Sequence, residues 1–203
     1  VANMGELFEK GINMVITSQR AIPSSLMDPK IKNRSRLFYL MANIEASQFS
    51  GENNWALLLG LDGFITEGTG DNFFIVKDGV VITPEGRDIL RGISREYVMS
   101  ELCPALGIPV IEKNIEPYDV YTADEAFITG TPFCMLPVTS LNSLKVGSGQ
   151  VGDIFSKIIS LWSKNLNLDI IDQIQQWDAK RSKSNNIDAP TPYSFGKTSK
   201  PNN

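Results

Sequence analysis

Asp62-Gly63-Phe64-Ile65-Thr66-Glu67-Gly68-Thr69-Gly70-Asp71-Asn72-Phe73-Phe74 sets Glu67 in a glycine-rich turn between two apolar runs. Upstream, Trp55 to Leu61 is almost wholly apolar, and downstream Phe73 to Val76 repeats that character, so both flanks read as buried strands. Glu67 is therefore expected at a strand end. The flanking glycines open backbone conformations closed to other residues and let a ligand come close to the main chain. A carboxylate placed there is either a solvated turn charge or a positioned functional group. The turn alone favours the first reading, and the rest of the chain has to decide.

With 203 residues the chain is long enough for one large domain with a proper core. Its 42% apolar and 21% charged residues are ordinary for a globular protein that works in water. No apolar run has the length of a membrane span, and the N-terminus lacks the pattern of a secretory leader, so a cytoplasmic protein is expected. The net charge of −4, with no element concentrating Lys and Arg, argues against nucleic acid as a partner. Cys103 and Cys134 fit neither a disulfide framework nor a zinc site and read as buried thiols. The absence of histidine excludes more: imidazole bases, imidazole metal ligands and the Ser-His and Cys-His machineries all drop out. Proton transfer must come from Lys, Asp, Glu, Tyr or a cofactor.

Residues 1–11 read as a linker or the end of a preceding domain, with Gly11 closing a short helix, and Ile12 to Ser18 as a strand. A loop through Pro29 leads to a helix beginning near Ser35, with Leu37, Leu40, Met41 and Ile44 as its apolar stripe. Asp78-Gly79 marks a type I′ hairpin ending at Ile82. Gly92-Ile93-Ser94 opens a helix that runs to Leu106, with Ser94 as N-cap and Gly107 as its stop. Its free amides would suit an anion. Short strands follow over Pro109–Lys113, Ala126–Thr129 and Met135–Leu141, with a turn or short helix at Pro117–Ala123. A helix with Ile154, Ile158, Leu161 and Trp162 then leads towards a polar tail, expected over 179–203.

Two further features compete for function. Gly147-Ser148-Gly149-Gln150-Val151-Gly152 has dinucleotide-fingerprint spacing, with Asp169 and Asp172 downstream, but no second parallel strand follows its helix. Lys32 lies in the loop before a helix, where a lysine is ordinarily a solvated charge. Set beside Glu67, Ser94 and Thr131 in a histidine-free chain, it completes the parts list of pyridoxal phosphate chemistry. That chemistry takes a lysine for covalent attachment, a group opposite the pyridine nitrogen, and amides with hydroxyls around a phosphate.

Lys32 with Asn33-Arg34-Ser35-Arg36-Leu37, Thr66-Glu67-Gly68 with Asn72, Leu90-Arg91-Gly92-Ile93-Ser94-Arg95, and Ala123-Asp124-Glu125 leading to Thr129-Gly130-Thr131 and Leu136-Pro137-Val138 resemble the class IV aminotransferases. That family includes branched-chain and D-amino acid aminotransferases and aminodeoxychorismate lyase. The resemblance covers roughly residues 12–165, and four motifs agreeing in order are more specific than any one.

The resemblance implies an α/β fold, the large-domain pseudo-barrel of the fold type IV pyridoxal phosphate enzymes, with 12–178 as the cofactor-binding domain. It implies a homodimer and small amino acid and 2-oxo acid substrates. Lys32 becomes the Schiff-base lysine, preferred over Lys30, and the proton shuttle. Glu67 becomes the partner of the pyridine nitrogen. Ile93, Ser94, Gly130 and Thr131 become the phosphate holders, Arg36 a contact of the phenolic oxygen, and Thr131-Pro132-Phe133 the substrate side. Where branched-chain enzymes carry a tyrosine near the helix start, this chain has Arg36 and Leu37, with Tyr39 further along. The family's smaller N-terminal domain, which supplies a phosphate-binding arginine and much of the substrate pocket, is expected to be missing from this sequence, either because it is a fragment or because the protein is truncated. Transamination is the reading these parts favour, with pyruvate elimination from aminodeoxychorismate, or a module that has lost catalysis, as alternatives.

Overall fold

The computed structural model describes residues 4–183. A 3-10 turn (Met4–Glu6) and helix α1 (Leu7–Lys10) end at Gly11, whose φ of 71° only glycine takes without strain. Leu7 and Phe8 are buried in the main core, so the segment expected as linker packs on the body of the fold. β1 (Ile12–Arg20) follows, and then a loop to α2 (Leu37–Ala46), which starts two residues later than expected.

The stretch expected as two strands holds three: β2 (Asn54–Leu59), β3 (Ile65–Gly68) and β4 (Asn72–Lys77). Glu67 thus lies inside a short strand and is 6% exposed, so it is no solvated turn charge. β5 (Val80–Thr83) completes the hairpin, with Asp78 and Gly79 both at positive φ as a type I′ turn requires. α3 (Ile93–Tyr97) continues through a π-helical turn (Val98–Leu102) into α4 (Cys103–Ala105). Its N-cap is the extended Gly92, and Ser94 sits two residues inside, buried, which corrects the expected cap. Next come β6 (Val110–Glu112), α5 (Pro117–Tyr121), β7 (Glu125–Gly130), β8 (Cys134–Leu141) and β9 (Leu144–Lys145). α6 (Asp153–Leu166) and α7 (Ile170–Lys183) close the described chain. α7 runs past the boundary expected at residue 178, and 184–203 lie outside the described residues.

The strands are ordered β3-β2-β1-β8-β7-β4-β5-β6, and β3 also pairs with β4, so the sheet curls into a closed barrel with β5 and β6 extending from it. β1 runs parallel to β2 and β8, while β4, β7 and β8 form an antiparallel meander. The seam of the barrel is Glu67 opposite Asn72. β4 is buried on both faces, which is why its sequence is a continuous apolar run. Phe74 and Phe127, opposite each other in the β4–β7 register, stack 4.8 Å apart at 10°, and Phe155 of α6 packs on Phe127.

A second cluster lies under α2, where Ala42 and Ala46 pack on Val15, Ala56 and Leu58. Small residues bring this helix close to the sheet. The stripe expected to be buried is not: Leu37 is 68% and Met41 52% exposed. Among the described residues no helix is long and apolar enough to cross a membrane.

Candidate active site

A cavity of about 250 Å³ opens where the end of β7, the β3–β4 turn, the 84–92 loop and the segment before α2 meet. Lys32, Arg36, Glu67, Ile93, Ser94, Gly130 and Thr131 all line it, although they span a hundred residues of sequence. Lys32 is exposed at its edge, and its amine makes no ion pair or side-chain hydrogen bond among the described residues. Lys30 is committed elsewhere: its Nζ lies 2.8 Å from Asp28 Oδ1 and donates to the Arg87 carbonyl over 3.0 Å.

Glu67 is held by three donors. Asn72 Nδ2 (3.1 Å) and the Leu90 amide (2.9 Å) donate to Oε2, and the Tyr39 hydroxyl donates to Oε1 over 3.1 Å. Asn72 can reach it because opposite residues of an antiparallel pair share a face. Burial raises the Glu67 carboxyl to about 8, against the downward pull of the Leu90 amide and the Tyr39 hydroxyl. Burial likewise raises Asp71, also on the cavity wall, to about 7, and leaves its Oδ1 without a partner. The site therefore holds two acids that share little cationic compensation.

Another part of the wall suits an anion. Ile93 and Ser94 are the first residues of α3, so their amides have no partner within the helix. The Ile93 side chain is 76% exposed, which leaves its main-chain N–H as the group it can offer. Gly130 and Thr131 stand at the end of β7, and the buried Thr129 Oγ1 beside them has no hydrogen-bond partner. Donors without acceptors and a hydroxyl without a partner are what an oxyanion would complete.

Several expectations need correction or addition. Arg36 donates from Nη1 to the Thr69 carbonyl (3.0 Å) and lies 5.6 Å over the Tyr39 ring while still lining the cavity, and Tyr39 is an addition that reaches Glu67. Arg36 and Tyr39, three apart, project from the same side of the start of α2, which was the available signal for Tyr39. Phe133 does not line the cavity: it is buried edge-on to Trp55 at 5.8 Å, against Gly130. Of the expected substrate side only Thr131 remains there. Asn72, Asp71 and Thr129 join the wall, and the Leu90 amide is a backbone donor that no side-chain pattern could have flagged. Cys103 is buried, with its thiol raised to about 11 by burial, whereas Cys134 is only half-buried. The 147–152 glycines do not make a nucleotide site, since Glu125 accepts from the Ile154 and Phe155 amides (2.9 and 3.0 Å) and fills the N-terminus of α6. Among the described residues no His, Cys, Asp or Glu cluster could hold a metal.

Residues 2–141 match the family described as amino-transferase class IV. The chain belongs to that family. Branched-chain-amino-acid aminotransferases of Pseudomonas aeruginosa and Escherichia coli K12 are similar to this class IV chain at 33% and 34% identity. They cover 77% and 75% of it but match over 51% and 49% of their own lengths, so the chain spans about half of the curated relatives it matches. In fold it resembles the solved E. coli branched-chain enzyme (TM-score 0.70, 32% identity, 75% of this chain and 50% of that one). It also resembles the branched-chain enzyme of Thermoproteus uzoniensis with norvaline (0.71, 32%, 83% and 54%) and a T.th. branched-chain enzyme complexed with N-(5'-phosphopyridoxyl)-L-glutamate (0.69, 31%, 73% and 49%). Class IV membership fits the closed barrel and the site on its seam.

Proposed function

We propose that residues 12–178 are the cofactor-binding unit of a pyridoxal 5'-phosphate-dependent aminotransferase that moves an amino group from a small amino acid to a 2-oxo acid. The observation that carries this reading is one cavity whose wall holds an uncommitted lysine amine, a buried carboxyl, and free amides with an orphaned hydroxyl. A phosphorylated pyridine ring bearing an aldehyde has the complementary groups. When bound, such a coenzyme supplies an aldehyde for amine attachment and a ring that withdraws electrons from the substrate's α-carbon.

Each residue has a part. Lys32 Nζ is the amine that would hold the aldehyde carbon and then, released, carry a proton to and from the α-carbon. Glu67 would bind the ring nitrogen through its carboxyl and would hold a proton at that contact, the role that keeps the ring electron-withdrawing. Tyr39, Asn72 and the Leu90 amide hold the carboxyl in place. The amides of Ile93 and Ser94, with Thr129 and Thr131 hydroxyls, would bind and orient the phosphate. Thr131, exposed at the rim, stands on the substrate side. The branched-chain names of the relatives support a small apolar amino acid as donor. A homodimer is the proposed assembly, supported by the apolar face that α2 leaves open, and the cytoplasm the proposed location.

Addition of pyridoxal phosphate to purified protein is the direct test. The expected result is a visible absorbance band and, after borohydride, a permanent mass increase on a peptide containing Lys32. The Lys32→Ala variant loses both, while Lys30→Ala keeps them. With the band present, 2-oxoglutarate-dependent consumption of leucine supports the transferase, and pyruvate release from aminodeoxychorismate would overturn it in favour of a lyase. No band in the wild-type protein would sink the coenzyme reading altogether.

A further inference from the structure

Arg95 is 3% exposed and absent from the cavity wall, yet it sits one residue beyond the amides that form the cavity's anion pole. A buried guanidinium is costly unless its donors are matched. Here they are matched from two strands and a loop. Nη2 donates to the Pro84 carbonyl over 2.9 Å and to Glu112 Oε1, and Nε points at Thr83 Oγ1 at 3.4 Å. Thr83 and Glu112 face each other in the β5–β6 register, so Arg95 straddles the ends of both strands. The Thr83 hydroxyl in turn donates to the Phe73 carbonyl, next to Asn72.

These contacts close a loop. Pro84 begins the 84–92 segment and Arg95 follows its end, so the guanidinium holds both ends of the segment together. Within it lies Leu90, whose amide donates to Glu67 and whose carbonyl accepts from Asn72 (2.8 Å). One segment therefore carries a donor to the acid pole and delivers the helix start that forms the anion pole. We infer that Arg95 is a positioning residue that sets the spacing between Glu67 and the Ile93 and Ser94 amides. The inference rests on the coenzyme reading. A rigid ligand with a ring nitrogen at one end and a phosphate at the other needs both poles at a fixed separation. Lysine cannot replace the planar fork that reaches all three acceptors.

The test compares wild type, Arg95→Lys and Glu112→Gln, the latter changing a partner whose side chain is 44% exposed. Dissociation constants for pyridoxal phosphate and for pyridoxal are read from the visible band, and Leu90 amide exchange is read in cofactor-free protein. A residue that only stabilises the fold would weaken both ligands alike. The expected result for Arg95→Lys is a loss of about tenfold or more in the preference for the phosphorylated ligand, from loss of aligned charge-assisted contacts. Glu112→Gln should lose less. Leu90 exchange should rise in both variants while Phe127 exchange in the core stays slow. An unchanged preference, equal losses for both ligands, or unchanged Leu90 exchange would overturn the inference. A wild-type protein that binds neither ligand overturns the coenzyme reading instead, and Leu90 exchange in Arg95→Lys still decides whether the clamp exists.

Discussion

Glu67 and Asn72 face each other across the seam where β3 meets β4, and Asn72 Nδ2 donates to both Glu67 Oε2 (3.1 Å) and the Leu90 carbonyl (2.8 Å). Closing the barrel and placing the acid are thus one structural event. Asn72→Ala removes two hydrogen bonds and leaves a buried carboxyl and carbonyl less satisfied. The expected cost is about 2–3 kcal/mol, read as a fall in Tm of roughly 4–12 °C for a domain of this size. A loss below about 0.5 kcal/mol would mean that water replaces the amide without penalty.

The two buried acids make a prediction about pH. In cofactor-free protein the carboxyls of Glu67 and Asp71 sit at about 8 and about 7, both above their ordinary values, because burial disfavours the charged forms. The folded state therefore binds protons more tightly than the unfolded chain. Their contribution is fully present below the usual carboxylate range and is lost as pH rises through about 7 to 8. Melting temperature should fall between pH 5.5 and 8.5, and Glu67→Gln, which cannot ionise, should flatten that fall. A parallel fall in wild type and variant would assign the slope to other groups.

Tyr39→Phe isolates the hydroxyl, because the ring keeps its contacts with Phe38 (centroids 4.1 Å) and Arg36. The lost donor favoured the ionised form of Glu67, so the carboxyl should titrate higher still. Coenzyme affinity should weaken about five- to tenfold, corresponding to the loss of one ordinary hydrogen bond of about 1–1.4 kcal/mol. Unchanged affinity would place Tyr39 outside the binding site.

The strands and the hairpin were legible because their signals are local: apolar runs bounded by glycines, and Asp78-Gly79 between them. Lys32, Glu67, Ser94 and Thr131 were legible as candidates from residue type and motif, and the structure brings all four to one cavity wall. What the sequence hid was pairwise. Nothing in the order of residues places Leu90 N beside Glu67, as that contact depends on the path of the 84–92 loop. Arg36 was singled out because it follows Lys32 by one helical turn, and it does line the cavity, but its hydrogen bond to the Thr69 carbonyl depends on the fold and not on that spacing. The apolar stripe of α2 misled for a related reason. Alanines permit closer packing than Leu37 and Met41, so the smaller residues face the sheet.

Glu125 tests the role given to the glycine-rich 147–152 turn. A Cβ on Gly152 would collide with the Glu125 carboxyl, so this glycine makes room for the cap of α6. Glu125→Ala removes acceptors from two amides and a negative charge from a helix N-terminus, and should cost about 1–2 kcal/mol. Pyridoxal phosphate affinity should stay within about twofold, since Glu125 is not on the cavity wall. A large loss of affinity would tie this turn to the site after all.

Leu37 and Met41 lie one turn apart on α2 and are 68% and 52% exposed, with Leu26 and Ile31 of the preceding loop exposed at 80% and 66%. Isolated exposed apolar residues are common, but two on successive turns of one helix face beside two more in the adjoining loop favour coverage by another chain. With a homodimer as the proposed assembly, the wild-type protein should sediment at twice its chain mass at micromolar concentration. Leu37→Glu with Met41→Glu should yield a monomer with unchanged circular dichroism, because neither side chain belongs to either buried cluster. A wild-type monomer across that range, or a double variant that remains dimeric, would move the interface off this face.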